Sequence, residues 1–113
     1  MGRSTSHAQP LTPVVFHVLL ALGEGPLHGY AIMRRVEEES GIEMGPGTVY
    51  GSLDRLLEMG WVEETEDVSG DRRRRRLFRM TRAGRAGIEG ELARMEGLAR
   101  LARGRGLAPG EAR

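Results

Sequence analysis

The chain has 113 residues, 39% of them hydrophobic and 4% aromatic, enough for one modest core built from Leu, Val, Ile and Met and not for two domains. It contains no Cys, which excludes disulfides and thiolate metal sites and suits a reducing cytoplasm; no apolar run reaches the length of a membrane span or a signal-peptide core. All 17 basic residues are Arg, balanced by 16 acids to a net charge of +1, so bulk charge selects no partner.

The distribution of charge says more. Between Glu24 and Asp71 there are 12 acids against three Arg, and between Arg72 and Arg105 there are 12 Arg against three acids. That split puts a basic surface on a nearly neutral protein, which favours a phosphate-bearing partner, though an acidic protein would also fit.

Residues 1–11 are polar and without pattern, as expected of a mobile tail. A first helix follows, with Thr12 as cap and Pro13 at its first position. Its body, VVFHVLLAL, is apolar almost all round and is expected to be buried on most sides, and His17 within it reads as a core or interface histidine. Gly23-Glu24-Gly25-Pro26 ends this helix. A second is expected over about His28 to Ser40, with Tyr30, Met33 and Val36 as the inner stripe and Ile32 beside it. Gly29 at its start permits close packing against a neighbour, and Glu37-Glu38-Glu39 reads as a solvated face.

The chain is organised around GPGTVYGSLDRLLEMGWVEE, residues 45–64. Pro46 and Gly47 are read as a break, Thr48 as the cap of a third helix, and Gly60 as its left-handed C-terminal cap. Val49, Leu53, Leu56 and Leu57 form one buried stripe. The remaining face carries Thr48, Tyr50, Gly51, Asp54, Arg55 and Glu58, small and polar near the N-terminus, where a helix end can approach a phosphate chain closely. Helix, short linker, helix is the helix-turn-helix arrangement.

After Gly60 the period changes. A strand is expected from Trp61 through Val68, a turn at Ser69-Gly70-Asp71, and a returning strand from Arg72 to Met80. Five consecutive Arg beside this tip can pair with Glu63, Glu64, Glu66 and Asp67 across the ribbon, or straddle a DNA backbone and reach a narrow minor groove. Exposed ion pairs contribute only about 0–1 kcal/mol each, so stability alone does not call for five.

Thr81 caps a last helix expected to run to about Arg103. Ile88, Leu92, Met95, Ala99 and Ala102 repeat with coiled-coil spacing, and Leu98 and Leu101 widen the stripe. Gly84, Gly87, Gly90 and Gly97 each weaken such a helix by about 1 kcal/mol relative to Ala, so it needs a partner, either the same helix or the first helix of a second subunit. Residues 104–113 are expected to fray. The fold class is therefore mainly α with a small β-hairpin: a winged helix-turn-helix over residues 12–80 and a dimerisation helix over 81–103.

With these elements in place the sequence resembles the PadR-type transcriptional regulators, through GPLHGYAI (Gly25 to Ile32), GTVYGSLDRLLEMGWV (Gly47 to Val62) and RRRLFRMTRAGRAGI (Arg74 to Ile88), over most of residues 13–103. The resemblance implies a winged-helix homodimer that represses transcription at a palindromic operator on double-stranded DNA. It implies DNA contacts from Gly47, Thr48, Tyr50, Gly51 and Arg55 in the third helix and from Arg72, Arg73, Arg74 and Arg75 in the wing, with Ile88, Leu92, Met95, Leu98, Ala99 and Ala102 joining two copies. Family members that bind flat aromatic ligands line the dimer cavity with aromatic or polar groups. The final helix here has no aromatic residue and Trp61 reads as core, so no effector ligand is indicated.

The competing reading is a winged-helix module for an acidic protein partner; it has no need of the small N-terminal face around Tyr50. An enzyme is not expected. His7, His17 and His28 lack the spacing with carboxylates that a metal site needs, and no Ser–His or paired-carboxylate arrangement is visible; no cofactor is implied.

Overall fold

The structure is a computed structural model that describes residues 11–66 and 76–107. Helix α1 is Pro13–Ala21, and its start is built as local chemistry dictates: Pro13 opens it, and the Thr12 hydroxyl accepts from the Val15 N–H at 3.2 Å. A 3-10 turn, Leu22–Glu24, follows. Then come strand β1 (Leu27–His28), helices α2 (Gly29–Ser40) and α3 (Pro46–Met59), strands β2 (Val62–Thr65) and β3 (Leu77–Met80), and helix α4 (Arg82–Gly104).

The three strands form one antiparallel sheet in the order β1-β3-β2. The third strand is a correction. Leu27 and His28 pair with Phe78 and Leu77, so the hairpin expected from sequence gains a short edge strand about fifty residues away along the chain. Among the described residues the hairpin strands cover Val62–Thr65 and Leu77–Met80. Trp61 belongs to the end of α3 and not to a strand: its N–H donates to the Leu56 carbonyl at 3.0 Å and that of Gly60 to Leu57 at 3.1 Å, the paired bonds of a Schellman cap around Gly60 at φ 78°. The expected turn and the returning arm from Arg72 to Arg75 lie outside the described residues.

The start of α3 is corrected as well. Gly45 is its N-cap and Pro46 its first residue, because proline's fixed φ and missing N–H suit the first helical position. Thr48 is therefore already inside the helix, where its carbonyl accepts from the Ser52 hydroxyl at 2.9 Å.

The core sits where α1, α2, α3 and the sheet meet. Val18, Leu19, Ile32, Val36, Val49, Leu53, Leu56 and Phe78 are fully buried, each contributing roughly 1.5–3 kcal/mol in removal from water. Leu57 packs at the edge of this cluster. In α2 the buried residues are Gly29, Ile32 and Val36, with Met33 packed at the edge of the core; Val36 is buried as expected, but Tyr30 is 63% exposed and Gly29 takes its place. Gly29 sets the phase of the helix by facing α3, which turns Tyr30 outward. Glu37 is not simply solvated either: its carboxylate accepts from the Met44 N–H at 3.3 Å and so holds the linker between α2 and α3.

Thr81 caps α4 by accepting from the Gly84 N–H at 3.0 Å. The helix then lies on Trp61, which is 6% exposed, and beyond that contact it leaves the domain. Its backbone hydrogen bonding runs past Arg103: the Leu107 N–H donates to the Ala102 carbonyl at 2.8 Å.

Candidate nucleic-acid interface

The exposed residues of α3 recur as Gly47 and Thr48, Gly51, Asp54 and Arg55, then Glu58. Steps of three and four keep them on one face, opposite buried Val49, Ser52, Leu53 and Leu56. In its first two turns the exposed face carries nothing larger than Thr48, so a rod-like ligand can approach the backbone there. Gly47, Thr48, Gly51 and Arg55 thus share one exposed face.

Tyr50 is placed differently. Half-buried, its ring packs against the core and meets Phe78 edge to face, with centroids 6.2 Å apart. Its hydroxyl end lies over Gly29 at the start of α2: a Cβ on Gly29 would stand 2.5 Å from Tyr50 Cζ. The spacing of α3 puts Tyr50 on the exposed face with Thr48 and Gly51, its hydroxyl free to meet a partner. Packing turns it toward the seam between α2 and α3, because Gly29 leaves room there.

Arg76 closes the other side of this ring, a role sequence reasoning missed. Its guanidinium lies 5.0 Å from the Phe78 ring centroid and 5.7 Å from that of Tyr50, while its Nε donates to Glu64 at 3.1 Å. That hydrogen bond is the first cause holding the Arg76 pKa above its ordinary value. The Arg76 carbonyl meets His28 Nδ1 at 3.2 Å. One cluster therefore ties the wing base, α2 and α3 together. The available signal was strand alternation, which puts Arg76 and Phe78 on one face.

The described part of the wing is neutralised across the strands. Arg79 pairs with Glu63, its register partner, and Arg76 with Glu64 on the diagonal. Arg72, Arg73, Arg74 and Arg75 lie outside the described residues.

On α4, Ile88 departs from its expected role, being 5% exposed and part of its own subunit's core. Further along, Leu92, Met95, Leu98 and Leu101 are 38–52% exposed, with Ala99 and Ala102 half-buried between them. On α1, Leu20 is 41% exposed. His17 Nδ1 is buried there without a hydrogen-bond partner. Among the described residues no cluster of His, Cys, Asp or Glu is disposed to hold a metal ion, and no helix is long and apolar enough to cross a membrane.

Comparison with known proteins follows the same lines. The family model described as "Transcriptional regulator PadR-like family" matches residues 18–90. An uncharacterized 37.1 kDa protein in transposon TN4556 of Streptomyces fradiae is 45% identical over 83 residues, spanning 71% of this chain and 23% of its own length. Transcriptional regulator Rv3488 of Mycobacterium tuberculosis is 33% identical over 87 residues, covering 77% of this chain and 79% of its own. Among solved structures, the hsRosR-S4 complex, with RosR from H. salinarum, superposes at TM-score 0.70 with 32% identity, covering 83% of this chain and 78% of that one. Bacillus subtilis PadR in complex with operator DNA superposes at 0.64 with 22% identity, covering 72% and 47%.

Proposed function

The chain belongs to the PadR-like family of transcriptional regulators, and from that premise we propose that it is a cytoplasmic, sequence-specific DNA-binding repressor that acts as a homodimer on a palindromic operator. The observation that carries this reading is the exposed first half of α3. Its small surface around Gly47, Thr48 and Gly51 suits insertion into a major groove, with Arg55 one turn on to meet a base edge or a phosphate. Tyr50 contributes from the rim, where its ring fixes α3 against α2. Arg72 to Arg75 supply phosphate contacts from the wing. The relative solved with operator DNA supports the same partner.

The homodimer is supported by the exposed apolar face of α4. Leu92, Met95, Leu98 and Leu101 occupy a helix that projects from a molecule measuring 56 × 43 × 22 Å, and a second copy of that helix would cover them. Two α3 helices would then face successive turns of one duplex.

The test is a binding titration on the DNA upstream of the protein's own gene over a range of salt concentrations. Each phosphate contact contributes about 0.9 to the slope of log affinity against log salt. Replacing Arg72, Arg73 and Arg74 with Ala is expected to weaken binding to operator and random DNA alike and to flatten the slope. A parent protein with no affinity for DNA at low salt would leave the acidic-partner reading in possession.

A further inference from the structure

Tyr30 and Arg34 on α2 are exposed side chains that the reading above leaves unused. Tyr30 is 63% exposed, although its helix has an apolar side on which a ring could be hidden. Arg34, one turn further on the same face, holds its guanidinium 6.0 Å from the Tyr30 ring centroid. Together with Ala31, Arg35 and Glu38 they line an open cleft of about 280 Å³.

The ion pairs around this cleft are long and exposed: Arg34 to Glu38 at 3.5 Å and Arg35 to Glu24 at 3.6 Å. Pairs of this kind hold weakly and yield readily to a stronger anion. The 6.0 Å approach of the guanidinium to the ring makes the two side chains one unit, and the Tyr30 hydroxyl, ahead of Glu38, holds the Arg34 pKa above its ordinary value. The unit also has a defined place. Tyr30 follows Gly29, which is packed on Tyr50 of α3, so the strip from Tyr30 to Arg34 begins beside the second turn of α3 and runs along α2.

From this placement we infer that Tyr30 and Arg34 form a second DNA contact, seating a backbone phosphate of the strand that borders the groove entered by α3. The guanidinium offers a phosphate its planar fork of donors and the phenol adds one hydroxyl donor. Neither group reads sequence; the contact sets how α3 is oriented in the groove. The inference rests on the DNA-binding reading.

The experiment measures binding of a mixed-sequence DNA duplex against salt for the parent protein, Tyr30→Phe, Arg34→Ala and the control Arg94→Ala, whose guanidinium pairs with Glu91 on α4. Both contact residues are exposed, so thermal melting should match the parent. Arg34→Ala is expected to weaken binding about tenfold and to reduce the salt slope by about 0.9. Tyr30→Phe is expected to weaken it about tenfold with the slope unchanged, and Arg94→Ala to behave as the parent. Three results would overturn the inference. Both variants binding at the parent's affinity would do so, as would an equal loss in Arg94→Ala, which would make the effect one of net charge. An altered oligomeric state in Tyr30→Phe or Arg34→Ala by sedimentation would assign the pair to an interface between copies. A parent that does not bind the duplex removes the DNA reading itself, whereas a binding parent with indifferent variants removes only this contact.

Discussion

Gly29 of α2 and Tyr50 of α3 meet so closely that no side chain fits between them: a Cβ on Gly29 would stand 2.5 Å from Tyr50 Cζ. Because Gly29 is buried and Tyr50 leans on Phe78, neither can retreat without shifting a helix. Gly29→Ala is therefore expected to destabilise the fold by about 1–3 kcal/mol, the usual penalty of overpacking, despite Ala's better helix propensity. The double variant Gly29→Ala with Tyr50→Ala should lose less than the sum of the two single variants, a coupling of about 0.5–3 kcal/mol. Denaturant titration of the four proteins measures it. Additive losses would mean that the two residues act independently.

The glycines of α4 separate into two kinds that composition cannot distinguish. A Cβ on Gly84 would fall 2.9 Å from Met80 Cγ and one on Gly87 2.5 Å from Trp61 Cζ2, whereas Gly90 and Gly97 face open space. The same substitution should thus have opposite signs. Gly87→Ala is expected to lift α4 off Trp61, with a loss of about 1–3 kcal/mol. Gly90→Ala and Gly97→Ala should each stabilise by up to about 1 kcal/mol. Melting temperatures moving the same way for Gly87→Ala and Gly90→Ala would contradict this.

Local chemistry was legible in the sequence where it acts within a few residues. Thr12 with Pro13, Thr81, and Gly60 mark helix ends as their residue types require. The stripe of α3 follows from its spacing, and Gly29 carried the sign of a close neighbour. What could not be read depends on residues distant along the chain. Leu27 and His28 become a strand only because Phe78 and Leu77 pair with them, and two residues carry no period. Tyr30 faces outward because Gly29 fixes the phase of α2 against α3. Ile88 fits the coiled-coil spacing, yet its own core covers it. Arg76 stood within a run of five like residues, and only the ring pair beneath it sets it apart.

The apolar strip on α4 yields a prediction about assembly. Leu92 and Met95 are 40% and 38% exposed, and none of the described residues covers them. Replacing both with Glu would place charges in the middle of the proposed dimer seam while leaving the isolated fold untouched, since exposed helical Glu is well tolerated. Sedimentation should show a dimer for the parent and a monomer for the variant, with similar helical content. A parent that is monomeric at micromolar concentration would refute the assembly. In the monomeric variant, operator affinity should fall steeply because each half-site would be bound alone.

Arg76 poses a question of competing partners, and magnitudes decide it. Its guanidinium is shared between Glu64, 3.1 Å away, and the rings of Phe78 and Tyr50. Both ion-pair side chains are more than 40% exposed, so screening leaves the pair about 0–1 kcal/mol, and an exposed cation–π contact adds about 0.5–1 kcal/mol. Removing the carboxylate should therefore matter little to stability, because the rings still hold Arg76. It should matter more to DNA, because a charge that Glu64 neutralises would become free beside the wing. Glu64→Gln is expected to melt within a few degrees of the parent, bind DNA more tightly, and steepen the salt slope by up to about 0.9. Arg76→Met, which keeps an apolar cover on the rings, should bind more weakly while its slope stays near the parent's, because a paired guanidinium releases no counterion from DNA. A marked fall in slope for Arg76→Met would mean that Arg76 leaves Glu64 for a phosphate when DNA is bound. The two slopes, measured side by side, distinguish a charge that anchors the wing base from one that grips the backbone.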